Sequence, residues 1–413
     1  MEPILAWIWF SQLFSYGSDR PRQLLEQGAS PEALMEMPVE EIVSLYSLPE
    51  AEIRRMKTVS VGRAEHILKE CRRKRITLIS YEDEHFPARL RDIYGPPVLL
   101  YAIGDLSVLK NPLSITIVGT RETEAYTERF TRMVASELAS AGITVVSGCA
   151  VGIDRAAHEA ALDAGGKSIG ILACGMDIDY PEATHGVKVR LARQGVLLTE
   201  LPPGTHVSSR YFATRNRLLS GLSLGTLVTH APMRSGSLLT LNHALEQGKE
   251  CFCLPPADVF SPSYAGVIPF LRDGAIPCFC TEDILSQYRE QYGELIQSKT
   301  PMADWVKPAV PYRETQREAL PAAPRLDPDR EKERRRRFDQ AAASLLEELT
   351  DGQRQIYQAL HFVPRQIDEI AAEIGMETGL LLSELTQLEL VGLASPCGGG
   401  RYSLAAELSH EQK

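Results

Sequence analysis

"ITVVSGCAVGIDRAAHEAALDAGGKSIGILAC" occupies residues 143–174. Its two ends, ITVVSG (143–148) and SIGILAC (168–174), have strand length and are apolar on both pleat faces. Between them, 154–164 carries apolar residues at helical spacing. A strand apolar on both faces is covered by helices on both sides, and a strand–helix–strand unit of this length is a parallel crossover. The same rhythm extends outward through SITIVG (114–119), GVLLTEL (195–201), GTLVTH (225–230), ECFCLP (250–255) and AIPCFC (275–280), with a further helical pattern over 125–141. This βαβα order predicts an α/β fold with a mostly parallel, doubly wound sheet.

The flanks differ. Residues 1–75 read as short helices. Ser30-Pro31 has the form of a helix start, with Ser as N-cap and Pro at N1. SVGRAEHILKECRRKR (60–75) is expected to follow a tight turn at Gly62. The pattern fits a helix-hairpin-helix or SAM-like module, or equally a small bundle with a solvated basic end. After residue 286, Pro301, Pro308, Pro311, Pro321, Pro324 and Pro328 punctuate a polar stretch ending in DREKERRRR (329–337). It reads as an exposed linker whose arginines 334–337 either touch phosphate or are simply solvated. Three helical patterns and a Gly-rich turn leading to Arg401-Tyr402-Ser403-Leu404 then predict a winged helix. The expected division is 1–75 helical module, 80–286 Rossmann-like domain, 287–342 linker and 343–410 winged helix.

Bulk properties set limits. The chain has 413 residues and a net charge of −10, so a uniformly basic surface is excluded while a local cationic groove is not. The eight cysteines include no C-x-x-C pair, which suits a reduced, cytosolic protein. The C-x-C pairs Cys251/Cys253 and Cys278/Cys280 fit apolar thiols in the sheet better than a zinc site. MEPILAWIWF reads as a packed helix rather than a signal peptide. No stretch approaches the ~20 apolar residues of a membrane span.

In an open parallel sheet, ligands bind at the carboxyl ends of the strands. There stand Gly119-Thr120-Arg121, SGCAVGID (147–154), Gly175, Glu200 with Pro202-Pro203-Gly204, and RSGSLLT (234–240). Small residues, hydroxyls and cations recur at this edge, a combination that suits anionic oxygens. No G-x-G-x-x-G follows the first strand, and no G-x-x-x-x-G-K-[ST] occurs. Arg215-Asn216-Arg217, in YFATRNRLLSGLS (211–223), is expected to open a helix beside the sheet edge and clamp an anion. The alternative is that Arg215 or Arg217 pairs with a local carboxylate such as Glu200. Asp154 and His158, four apart on one helix, are an acid–base candidate, or else an N-cap and a packed imidazole. Asp177, Asp179 and His230 stand near strand ends with nothing fixing them together.

IVGTR, VVSGCAVGIDRAAHEAAL, GILACGMDIDYP, LLTELPPG, FATRNRLLSGLS and MRSGSLLTLNHALEQGKECFCLP resemble, in order and spacing, the DNA-processing protein A family, DprA or Smf. The match spans about 85–285. The resemblance implies an extended Rossmann-like fold that binds single-stranded DNA as a homodimer in the cytoplasm. It also implies protection of incoming DNA in natural transformation and help in loading RecA recombinase, with no catalytic residue, cofactor or metal. Carried over, Arg121, Ser147, Gly148, Arg215, Asn216 and Arg217 line a phosphate pocket, Phe212 is the motif's aromatic, and Tyr264 with 266–275 falls at the dimer contact. The chain departs from the family pattern at Glu182, Pro256, His230 and GVIPFL (266–271). The competing assignment is a nucleotide-binding, phosphoribohydrolase-like enzyme. Such enzymes carry a P-G-G-x-G-T-x-x-E motif, whereas the matching stretch here, RSGSLLTLNHA, has Asn242 and His243 where a carboxylate would fall.

Overall fold

The computed structural model describes residues 2–46, 48–296, 328–347, 349–397 and 400–405. It divides into two compact units, Met1–Lys307 and Pro308–Lys413. Most of the Pro-rich stretch expected as a linker, including Pro301 to Pro324, lies outside the described residues.

The first unit is built on one sheet: β1 (Thr77–Ser80), β2 (Leu99–Gly104), β3 (Ser114–Val118), β4 (Thr144–Ser147), β5 (Ser168–Ile171), β6 (Val196–Thr199), β7 (Gly225–Val228), β8 (Glu250–Cys253) and β9 (Ile276–Pro277). Its order is β1-β2-β6-β5-β4-β3-β7-β8-β9. β3 to β9 pair in parallel, with Ile115 opposite Val145 on one side and Gly225 on the other. All seven expected strands are present. β1 and β2 extend the sheet antiparallel beyond β6. From β3 the chain winds outward to β6 and then returns to place β7 on the far side of β3. That reversal makes the carboxyl ends of β3 and β7 diverge, which opens a crevice there.

Helices cover both faces. On one, Leu218, Leu219 and Leu241 from helices Ser209–Leu222 and Ser237–Glu246 meet Val118, Val146 and Val228. On the other, Val134, Leu138, Ala157 and Ala161 from helices Ala125–Ser140 and Ile153–Asp163 meet Ile115, Ile117, Val145 and Leu227. This two-sided burial is why the strands are apolar throughout. Cys251 and Cys253 in β8 are fully buried, and burial pushes their thiols up to about 11 and about 12.

The N-terminal helices share a core with the sheet's antiparallel end: Trp7, Ile8, Trp9 and Phe10 pack with Leu99 and Tyr101 of β2. Ser30 caps the Pro31–Glu36 helix, accepting from the Ala33 N–H at 3.2 Å. Gly62 is not in a turn. It lies in the first turn of helix Val61–Arg73, because Ser60 caps that helix one residue earlier.

The second unit holds helices Asp351–Ala359, Ile367–Ile374 and Thr378–Leu390, with a sheet of β10 (Arg365–Gln366), β11 (Ala394–Cys397) and β12 (Arg401–Leu404) in the order β10-β12-β11. Three helices followed by an antiparallel ribbon make the winged helix. Helix Pro328–Ala341 precedes it, and Arg335 donates to the carbonyls of Leu360 and Tyr357.

Candidate functional site

The crevice at the β3–β7 divergence holds a cavity of about 400 Å³. Arg121, Phe212, Asn216, Ser235, Ser237 and Thr240 are among its lining residues. A smaller recess beside it is lined by Arg121, Gly148, Tyr180 and Phe212. Three loops and one helix supply these groups, each for a local reason.

The loop after β3 must cross that after β4 closely. A Cβ at Gly152, where φ is +80°, would sit 2.5 Å from the Thr120 carbonyl oxygen. The Ile153 N–H donates to that same carbonyl at 3.2 Å. Gly152 is therefore glycine for both conformation and approach. Cys149 also adopts positive φ, at +58°. Its thiol is buried and pushed up to about 12.

Helix Ser209–Leu222 starts earlier than its sequence suggests. Ser208 is the cap, accepting from the Tyr211 N–H at 3.3 Å. Arg215 is consequently in mid-helix, away from the free N–H groups of the first turn, and this corrects the expectation that it opens the helix. It is buried, and it donates to the Gly148 carbonyl at 2.9 Å and to that of Ile171. Gly148 leaves no room for a side chain: its Cβ would stand 2.6 Å from an Arg215 nitrogen and 2.7 Å from Asp154 Oδ2. Burial pulls the guanidinium pKa of Arg215 down and pushes the Asp154 carboxyl up, while the mutual attraction of the two opposes both shifts. Arg215 thus ties the second and third strand-end loops together. The neighbouring Asn216 donates to the Gly236 carbonyl at 3.0 Å and so ties in the loop after β7.

Arg217 does not join them. It is two residues from Arg215, hence about 200° around the helix. It is buried against Glu200, its Nη2 donating to both carboxylate oxygens at 2.8 and 2.6 Å. Its guanidinium packs at Gly17, where a Cβ would be 3.2 Å from Nε. Burial nonetheless pushes the Glu200 carboxyl up, against the pull of Arg217. Ser147 is likewise committed: its hydroxyl is fully buried and donates to the Ile117 carbonyl at 2.6 Å. Gly148 and Phe212 do reach the cavity walls.

Arg121 has the opposite character. It is exposed, and it pairs with no carboxylate among the described residues. Its guanidinium carbon lies 5.2 Å from the Phe212 ring centre, and that of Arg215 lies 5.8 Å from the same ring. Tyr180, on the loop after β5, meets Phe212 edge-on at 6.0 Å. The GILACGMDIDYP motif by itself gives Tyr180 no role. Only the fold shows that its loop folds back over the helix.

The acid–base candidates are bonded within the fold, although Asp154 also lines the cavity. Asp154 follows Gly152, the helix N-cap, by two residues, and Oδ2 accepts from the Ala150 N–H at 3.3 Å. His158 is fully buried between the Ser168 hydroxyl at 2.8 Å and the Cys149 thiol at 3.5 Å, and burial holds its imidazole down to about 3. His230 is buried and stacked on Tyr264, and burial lowers its pKa. Asp179 binds Lys188 and His185, and Asp177 binds Lys74 and the Gly204 N–H. Glu182 is exposed beyond Tyr180-Pro181, and Pro256 begins the loop after β8. Tyr264 is buried, donating to Glu124 at 2.7 Å, so its ring is committed within the subunit. In 264–279 the exposed large apolar side chain is Phe279.

A doubly wound sheet with a donor-rich, cationic and aromatic crevice at its switch point has the architecture of the Rossmann-like class. The DNA recombination-mediator protein A model matches residues 77–289, and the DprA winged helix domain model matches 340–400. The chain belongs to the DNA recombination-mediator protein A family, DprA or Smf. It is 34% identical over 263 residues to the DNA processing protein DprA of Bacillus subtilis, covering 64% of this chain and 88% of that one. It is 30% identical over 345 residues to Protein Smf of Synechocystis, covering 81% and 82%. The solved structure of Streptococcus pneumoniae DprA superposes with a TM-score of 0.60 at 28% identity, over 68% of this chain and 95% of that one. Among the described residues no helix is long and apolar enough to cross a membrane.

Proposed function

We propose that this protein binds single-stranded DNA in the β3–β7 crevice, with Arg121 as the exposed phosphate-gripping cation. The observation that carries this is the geometry at Phe212. An unpaired, exposed guanidinium sits over an aromatic ring at the mouth of a cavity walled by hydroxyls. Arginine supplies charge and a planar donor fork to phosphate, and a half-exposed ring gives a base a surface to stack on. Arg215, Asn216, Gly148 and Ser147 shape this crevice through their backbone ties. Arg217 holds the helix to the N-terminal module.

In this role the protein protects incoming single strands in transformation and presents them to RecA recombinase, acting as a cytoplasmic homodimer that uses the 264–279 region with Phe279. The sheet domain within 80–286 carries the DNA site, and the 1–75 module and the winged helix at 343–410 are accessory. The protein acts without turnover. The site offers donors and cations, whereas Asp154 and His158 are buried and bonded, leaving no positioned base.

The test is a comparison of affinity for oligo-dT and for a duplex of equal length, beside an incubation with nucleoside monophosphates. Preference for the single strand and no release of free base are expected. Stronger duplex binding, or base release abolished by Asp154→Asn, would overturn the proposal.

A further inference from the structure

The loop after β8 carries Phe260, 90% exposed, next to Val259, 60% exposed. An aromatic ring held almost wholly in water is costly unless something covers it. This loop is anchored rather than free. Ser263 and Tyr264 donate to the two carboxylate oxygens of Glu124, at 2.8 and 2.7 Å, and the Tyr126 hydroxyl donates to the Pro255 carbonyl at 3.5 Å. Glu124 and Tyr126 follow directly on the Gly119–Arg121 turn that forms the crevice wall. Tyr126, 39% exposed, thus ties the segment that follows the crevice wall to the start of the loop that carries Phe260.

β5, β4, β3, β7 and β8 are consecutive neighbours with parallel direction, so the loops after them share one edge. Tyr180 follows β5, Arg121 follows β3 and Phe260 follows β8. Four inter-strand steps of roughly 4.8 Å place the ends of this series about 19 Å apart. Tyr180 folds back onto Phe212 beside Arg121, so along this edge Phe260 lies on the β8 side of the exposed cation.

Resting on the single-strand reading above, we propose that Phe260, assisted by Tyr126, is a base-stacking site that takes a nucleobase of the strand where it leaves the crevice. Aromatic faces accept any base, so the contact adds affinity without sequence preference. Continuity with the crevice favours a base over a protein side chain as the occupant.

The experiment uses the full chain with two probes of equal length and charge, oligo-dT and an oligomer of abasic sites. Wild type is expected to prefer oligo-dT. Phe260→Ala should lower oligo-dT affinity by about 5- to 150-fold, the range of one base–aromatic stack, while leaving abasic binding unchanged. Phe260→Trp should restore the affinity, with indole fluorescence quenched by oligo-dT and not by the abasic strand. Wild-type oligo-dT affinity in Phe260→Ala, while Arg121→Ala still weakens both probes, would overturn the stacking site and leave the crevice standing. Failure of wild type to bind either probe would overturn both. A fall in self-association on sedimentation, with affinity regained at high protein concentration, would assign Phe260 to a contact between copies and overturn the stacking site.

Discussion

Arg217 and Glu200 form a pair with almost no solvent to screen it, their side chains 6% and 13% exposed. Removing one partner of a buried pair leaves an uncompensated charge, at a cost of about 3–5 kcal/mol. Arg217→Ala should lose stability of that order in urea unfolding, and Arg217→Met combined with Glu200→Gln should lose much less. Equal losses would mean that the charge itself is not what the pair contributes. His158 sets a pH limit on the same scale. Its folded pKa of about 3 lies below the unfolded value near 6.5, so the unfolded chain takes up the proton first as pH falls. The stability due to the neutral imidazole is full above about pH 6.5 and is lost towards pH 3, on the order of 5 kcal/mol in all. His158→Gln should flatten that limb of the melting-temperature profile, and an unchanged limb would place the acid sensitivity elsewhere.

At the scale of the element, the Arg-Asn-Arg triplet shows what the sequence could and could not tell. Its residue types point to the cavity that Arg215 and Asn216 line. The 100° step of the helix separates the two arginines by about 200°, which was legible once a helix was assumed. Where the helix begins is not, because Ser208, Ser209 and Arg210 are all polar and two adjacent serines offer equal caps. β1 and β2 were also missed as strands. Neither belongs to the alternating strand–helix rhythm of the seven, and β2 follows Pro96-Pro97, which reads as a break. The seven parallel strands were legible because burial on both faces leaves an unbroken apolar run. The loop ties were invisible, since they join residues such as Arg215 and Gly148 that are 67 positions apart. Gly148→Ala tests one tie directly. Its Cβ would force the Arg215 guanidinium aside, so single-strand affinity should fall at least tenfold, about 1.4 kcal/mol, with circular dichroism unchanged. Wild-type affinity would show that the Arg215 tie does not shape the crevice.

Across the whole molecule, the two compact units differ in what they offer a phosphate. Residues 366–400 of the winged helix contain no Lys or Arg and carry Asp368, Glu369, Glu373, Glu377, Glu384 and Glu389. A helix-turn-helix of that charge repels phosphate, and removing it should cost little affinity. The fragment ending at Ile296 should keep oligo-dT affinity within about threefold of the full chain, and a larger loss would move the main site to the second unit. Arg121 is the cation on which the proposed DNA site depends, and a salt titration of oligo-dT binding by wild type and Arg121→Ala measures what it contributes. Loss of one charged phosphate contact should weaken binding by about 1.5–3 kcal/mol and flatten the slope of log affinity against log salt by about 0.7. Replacing the arginines 334–337 should change neither. A folded Arg121→Ala protein with wild-type affinity and slope would contradict the assignment of the β3–β7 crevice as the DNA site.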